Sequence, residues 1–370
     1  MDSTDDDGDS DARGQSTASD SADGGTNSTD PELTATSTTA SATVYHETDA
    51  STDPLDGDTV AVLGYGNQGR SQASNMRDAG LEVVIGNRAD DSREQAREDG
   101  FDAYPMAEAT ARADVVLFLV PDEVQPEVYE RTVEPNLGPG DALVFASGYN
   151  VTYGYVEVDP AVDVALVAPR MIGAVVRELY EAGRGAPALL AVHRDATGEA
   201  KSRALAVAAG IGSTRSGVVE TDFETETRTD LLSEQGLFPV FAAALLARFE
   251  VESEAGVPPE VTLLESYLSR EMAHIFEKCA TEGLVAQMDL HSRTSQYGQL
   301  LGLEAFDREP IREFMRERLA AIESGEFAEE WTQEQAAEDS RLDRLRRQYE
   351  NSAFVETEQT TLDAFGLREE

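Results

Sequence analysis

One stretch limits more than any other what this chain can fold into: Thr59-Val-Ala-Val-Leu-Gly-Tyr-Gly-Asn-Gln-Gly69. Val60, Val62 and Leu63 read as a short buried strand that runs straight into glycines at 64, 66 and 69. Arg70 to Ala79 then reads as a helix, and Glu82 to Ile85 as the next strand. In a strand–turn–helix setting, Gly64 allows the tight turn, Gly66 lets backbone approach a pyrophosphate, and Gly69 lets the helix pack close to the strand. Unpaired N–H groups at the helix start then face the phosphates. Tyr65, Asn67 and Gln68 complete the loop, and the whole segment Gly64–Gly69 is the candidate dinucleotide site.

The surroundings of this motif fit a doubly wound α/β domain. Strand-like runs recur at Val115–Val120, Ala142–Phe145, Val164–Ala168 and Ala188–Val192, with helical stretches such as Ser92–Asp99 and Ala107–Ala111 between them. After about Glu220 strand patterns stop. Arg228–Phe249, Pro258–Thr281 and Ile311–Ser324 carry apolar residues at helical spacing. The expected division is a tail over 1–55, a Rossmann-type domain over 56–222 and an all-helical domain over 223–370.

Charge narrows the function classes. The chain of 370 residues has a net charge of −43, of which residues 1–55 carry only −12. The acid excess is therefore spread over the folded part. Lysine occurs only at 201 and 278. A dispersed acidic surface suits a high-salt cytoplasm, where screening shortens to about 3 Å near 1 M salt. It opposes nonspecific binding to nucleic acid. The single cysteine, Cys279, excludes an internal disulfide and a cysteine metal cluster. No uninterrupted apolar run reaches the roughly 18 residues of a membrane span, so cytoplasm and no membrane partner are the expectations. Residues 1–55 are rich in Ser, Thr, Asp, Gly and Ala, and read as a disordered acidic tail.

Asp230 and Glu234 stand four apart in a predicted helix and so share a face. Like charges at that spacing repel unless a cation lies between them, and magnesium prefers carboxylate oxygens. Spacing alone leaves a solvated acidic face as the alternative. Glu265 and Glu271 form a second acidic set on another predicted helix.

These features together resemble the ketol-acid reductoisomerase (acetohydroxy acid isomeroreductase) family in its short form. The resemblance runs from about Thr59 to Tyr349. It is carried by Gly64–Gly69, Val120–Tyr129, Pro135–Phe145, Gly183–Leu189, Val192–Gly198, Gly210–Arg215, Thr229–Gln235, Glu254–Gly256, Tyr297-Gly298 and Ser324–Trp331. It implies magnesium-dependent alkyl migration in 2-acetolactate or 2-aceto-2-hydroxybutyrate, followed by reduction with NADPH. The products feed valine, leucine and isoleucine synthesis. It also implies a knotted helical domain that dimerises, with a homodimer as the smallest active unit. By motif position Asp230 would bridge two metals and Glu234 would complete one. The later acidic set would come from the partner subunit, and Ser292 would contact substrate. Arg88 and Ser92, after the second strand, would hold the 2′-phosphate of NADPH. Asp90 and Asp91 between them would oppose that phosphate, which leaves NAD open.

The departures from the family pattern cluster at the chemistry. Ser147 stands where the family has His, and Arg170 where it has Lys. A guanidinium stays protonated and cannot serve as a base, though it still holds an anion. Aligned through Pro259 and Glu260, the later pair falls on Glu265 and Ser269, with Glu271 two residues late. Either an insertion brings Glu271 into place or one ligand is missing. The rival readings are a relative that reduces another 2-oxo or 2-hydroxy acid without isomerisation, and a non-catalytic nucleotide-binding paralogue.

Overall fold

The computed structural model describes residues 41–337 and 340–368. Its centre is a sheet of nine strands: β1 (Val44–Tyr45), β2 (Thr59–Leu63), β3 (Glu82–Gly86), β4 (Asp102–Tyr104), β5 (Val115–Phe118), β6 (Ala142–Phe145), β7 (Asp163–Pro169), β8 (Ala188–Arg194) and β9 (Val218–Glu220). Their order across the sheet is β1-β9-β8-β7-β6-β5-β2-β3-β4. The six strands from β4 to β7 run parallel in the arrangement that puts a dinucleotide crevice between β2 and β5. β8 then turns antiparallel to β7.

β5, β6 and β7 are buried along their whole length, as expected of strands covered on both faces. Two apolar clusters sandwich the sheet. One holds Val60, Val62, Met76, Ile85 and Leu190, and the other Leu63, Phe118, Leu143, Phe145 and Phe223.

The predicted tail reaches too far into the chain. Val44 and Tyr45 pair antiparallel with β9, and the Tyr45 hydroxyl donates to Glu220 Oε2 at 2.6 Å. Leu55 is buried under the helix Ala200–Gly210. Composition hides this, because backbone pairing at Val44 and Tyr45 and one buried leucine, Leu55, suffice to dock a segment most of whose side chains are exposed. The rest of the predicted tail, residues 1–40, lies outside the described residues.

After β9 the chain is helical. Asp222 caps the first helix by accepting from the Thr225 N–H at 2.7 Å. That helix runs without a break from Phe223 to Glu254, through a π-turn at Ser233–Leu237. By length and composition alone it is apolar enough to cross a membrane, a feature missed by counting uninterrupted apolar runs. Its distal half, Phe238–Glu254, buries none of its residues, and Leu237, Phe238 and Val251 are more than half exposed.

The predicted helix Pro258–Thr281 is two helices. Pro259–Leu263 continues through a π-turn to Leu268, Arg270 adopts φ 64°, and Glu271–Glu282 starts afresh. Glu265 and Glu271 therefore do not share one helix. Helical periodicity continues across such a joint, so a single left-handed residue leaves no mark in the apolar pattern.

Candidate active site

Four loops meet at the carboxyl edge of the parallel sheet. Gly64 follows β2, Asp122 follows β5, Ser147 follows β6 and Arg170 follows β7. Ligands of open α/β sheets bind at this edge, beside the strand-order reversal.

The glycine loop is built as its spacing predicts. Gly64 has φ +98°, and a Cβ there would lie 2.9 Å from the Leu119 carbonyl carbon and oxygen. A Cβ on Gly69 would lie 1.9 Å from the Gly64 oxygen, so this glycine is what lets the helix Asn67–Asp78 pack on β2. A Cβ on Gly66 would meet nothing within 4 Å. That open face, at the helix N-cap, is where a pyrophosphate has room.

The other loop residues are divided between the two tasks. Asn67 Oδ1 accepts from the Ala174 N–H at 2.9 Å, and Gln68 Nε2 donates to the Met171 oxygen at 2.8 Å. Their side chains tie the loop to the helix Gly173–Glu181, leaving backbone to face a ligand. Tyr65 is buried edge-on against Phe101 and donates to Asp99 Oδ2 at 2.9 Å. A cavity of about 770 Å³ opens beside Gly66, with Arg70, Arg77, Ser92 and Arg177 in its wall.

Arg88 projects from the end of β3 with its side chain 82% exposed, and its Nε is paired with Asp90 Oδ2 at 2.7 Å. Asp90 caps the helix Asp91–Glu98 through the Arg93 N–H and accepts from Asn87 Nδ2 at 2.7 Å. The hydrogen bond from Arg88 first, with those from the Arg93 N–H and Asn87, holds Asp90 below the usual carboxylate range. The guanidinium predicted to take a 2′-phosphate thus already has an anionic partner two residues away.

The acidic helix closes over the other strand ends. Arg170 Nη1 donates to Asp230 Oδ1 at 2.9 Å and Nη2 to Glu226 Oε1 at 3.0 Å. The Glu226 side chain is 0% exposed, and its second oxygen accepts from the Gly148 N–H at 2.7 Å. Gly148 has to be glycine, because a Cβ there would lie 2.6 Å from Thr227 Oγ1 and 2.7 Å from the Phe223 oxygen.

Burial raises Glu226 to about 7, although Gly148 and Arg170 pull the other way. Burial likewise raises Asp122 to about 6, helped by the negative charges of Glu123, Asp230 and Glu234 and opposed by the Ser147 hydroxyl. Glu234 is raised by burial and by Asp230, against Arg170. Asp230, Glu234, Ser147, Arg170 and Asp122 are thus one electrostatic neighbourhood.

Glu226 and Asp122 were not singled out from sequence. The signal for Glu226 was present, since 226, 230 and 234 repeat every four residues along one helix face. Asp122 lies inside the Val120–Tyr129 motif, but nothing in its spacing marks it.

Three predicted site residues stand apart. Glu265 and Glu271 are exposed on their separate helices. Ser292 is exposed and caps the helix Arg293–Ala305 by accepting from the Ser295 N–H at 3.2 Å. None of the hydrogen bonds or ion pairs among the described residues joins these three to Asp230 or Glu234. Nor do the described residues contain a group of three or more His, Cys, Asp or Glu arranged to hold a metal.

A Rossmann-type domain with a glycine loop at its sheet edge, joined to a helical domain that lays acids over that edge, defines a dinucleotide-dependent oxidoreductase. Residues 54–217 match the acetohydroxy acid isomeroreductase NADPH-binding domain, and residues 223–365 match the ketol-acid reductoisomerase C-terminal domain. The chain is 46% identical over 312 residues to the ketol-acid reductoisomerase (NADP(+)) of Methanopyrus kandleri, covering 84% of this chain and 94% of that one. It is 44% identical over 296 residues to that of Pyrobaculum arsenaticum, covering 79% and 89%. The structure of an NADH-preferring ketol-acid reductoisomerase from an uncultured archean superposes with a TM-score of 0.81 at 35% identity, covering 87% of this chain and 98% of that one. The chain belongs to the ketol-acid reductoisomerase family, and its enzyme class is that of an NAD(P)-dependent oxidoreductase.

Proposed function

We propose that this chain converts 2-acetolactate and 2-aceto-2-hydroxybutyrate to 2,3-dihydroxy-3-methyl acids, by an alkyl shift followed by reduction, in branched-chain amino acid synthesis. The observation that carries the reading is the meeting of the Gly64–Gly69 loop, Arg170 and the Asp230 helix at one sheet edge, in a chain aligned with reductoisomerases over 84% of its length.

Magnesium fits the donor chemistry. Among the described residues the second Asp230 oxygen and the Glu234 carboxylate make no protein hydrogen bond, and Glu234 is raised by burial and then by the Asp230 charge, the second of which a dication would offset. When bound, magnesium supplies Lewis acidity for the alkyl shift and the nicotinamide supplies the hydride. Arg170 holds a fixed positive charge at the strand ends, where an anionic substrate group can lie. Burial first, then the negative charges of Glu123, Asp230 and Glu234, raise Asp122 to about 6, which makes it the candidate for holding a proton at these strand ends.

For cofactor we assign NADPH, which the relatives of Methanopyrus and Pyrobaculum carry in their names. The Arg88–Asp90 pair and the NADH-preferring neighbour favour NAD as the second choice. The exposed apolar residues Leu237, Phe238 and Phe241 support a homodimer or larger assembly, in which Glu265, Glu271 and Ser292 reach the partner's site. With a net charge of −43, we assign a salt-adapted cytoplasmic enzyme with no nucleic-acid or membrane partner.

The test is consumption of NADPH and of NADH, followed separately, with 2-acetolactate and magnesium. Oxidation of either cofactor supports the function. Oxidation only with a pre-isomerised 3-hydroxy-2-keto acid overturns the isomerase half, and none with any of these substrates overturns the whole.

A further inference from the structure

We infer that each active site of this chain takes one divalent cation, at Asp230 and Glu234, and that the Arg170 guanidinium stands in for a second. The inference rests on the magnesium-dependent function proposed above.

The first observation is how firmly the guanidinium is held. Nη1 lies 2.9 Å from Asp230 Oδ1 and Nη2 lies 3.0 Å from Glu226 Oε1. Glu226 is fully buried and its other oxygen takes the Gly148 N–H at 2.7 Å. Arg170 is therefore anchored by a carboxylate committed at both oxygens. A carboxylate that bridges two cations through both of its oxygens offers one to each. Asp230 Oδ1 faces the guanidinium, whose positive charge opposes a dication there, so the other oxygen is the one open to metal. An ammonium at this position can lose its proton, or swing aside on its flexible stem, when a second dication arrives. A guanidinium keeps its charge and its planar fork.

The second observation is independent and lies on another part of the fold. The acids that would complete a second cation site are Glu265 and either position 269 or 271. Glu265 sits in the π-turn ending one helix, Arg270 breaks the chain direction at φ 64°, and Glu271 opens the next helix. The position one helical turn after Glu265 is Ser269, a neutral hydroxyl whose oxygen accepts from the Glu271 N–H at 3.4 Å. A pair of carboxylates on one helix face, as at Asp230 and Glu234, is thus not available there. The carboxylate missing at position 269 and the fixed cation at Arg170 are two separate departures, and each takes away from a second dication.

The experiment uses manganese as the probe, titrated into the metal-free full-length protein. Bound ions are counted from the electron paramagnetic resonance of free Mn²⁺ and by calorimetry. One tight Mn²⁺ per chain is the expected result, abolished by Asp230→Asn. Two tight ions per chain overturn the inference and leave the proposed function standing. No bound ion overturns the inference, and the 2-acetolactate assay without added metal then decides separately whether the proposed function stands. Arg170→Gln frees the Asp230 oxygen and removes the neighbouring charge, so it should tighten Mn²⁺ binding at least tenfold. Unchanged affinity in a variant with native circular dichroism would show that Arg170 does not govern the cation site. If that variant fails to fold, the wild-type count still decides.

Discussion

At the scale of single residues, the site depends on which atoms are already committed. Gly66 has free space where its Cβ would go, so a side chain is tolerated by the fold but not by a phosphate. Gly66→Asp should keep the melting temperature within about 2 °C, since an exposed substitution costs little, and should abolish nicotinamide cofactor binding in calorimetry. Retained affinity would reduce the loop to a turn. Asp90 offers a complementary case. Asparagine caps a helix as well as aspartate does, so Asp90→Asn should spare stability while releasing Arg88 and removing a charge near the 2′-phosphate position. NADPH should then bind roughly tenfold more tightly, on the order of one unpaired charge contact, with NADH unchanged. An unaltered ratio of the two dissociation constants would remove Asp90 from cofactor choice.

Glu226 is the residue whose titration should be visible in stability. Burial raises its folded pKa from 4.5 to about 7, so the folded state binds its proton more tightly than the unfolded state does. Its contribution is fullest below about pH 4.5 and is lost as pH rises through 7, a span on the order of 3 kcal/mol. Glu226→Gln should flatten the pH dependence of the urea midpoint between pH 5 and pH 8. A wild-type profile retained in the variant would mean that another group titrates there.

At the scale of elements, the helix Phe223–Leu232 matters for where it is laid down. Gly148 lets it approach until a Cβ would overlap Thr227 and the Phe223 carbonyl. Gly148→Ala should push the helix off the strand ends, lowering stability by about 1–3 kcal/mol as overpacking does. Turnover should fall further than stability, because Asp230 and Glu226 move with the helix. A variant with normal turnover at full saturation would show that helix position is not critical. The π-turn at Ser233–Leu237 carries Glu234 on the same element. Extra residues of this kind re-aim side chains, and they gather at functional sites.

At the scale of the whole molecule, the sheet is closed on one side by a segment that composition assigns to a tail. Tyr45, Glu220 and Lys201 form one network at that edge, with Lys201 Nζ 2.7 Å from Glu220 Oε1. A chain truncated through residue 55 loses β1 and the buried Leu55, and that leucine alone is worth about 2 kcal/mol. Its melting temperature should fall by roughly 5 °C relative to a chain truncated through residue 40. Equal melting temperatures would return the segment to the tail.

Much of this molecule was legible before any coordinate, for reasons that lie in local chemistry. Strands β2, β3, β5, β6, β7 and β8 announce themselves because a strand buried on both faces must be an apolar run. The glycine loop does so because only glycine meets its steric limits at Gly64 and Gly69. Asp230 and Glu234 are recognisable because helical spacing is a property of sequence. What sequence does not carry is which distant groups share space. β1, β4 and β9 are two or three residues long, too short for a period, and exist because a neighbouring strand receives them. The hold of Glu226 on Arg170 spans 56 positions, and nothing in the spacing of Asp90 shows that it both caps a helix and pairs with Arg88. Tertiary structure alone decided these, because burial and hydrogen-bond partners are set by where the folded chain returns, and the type of a residue does not specify its partner.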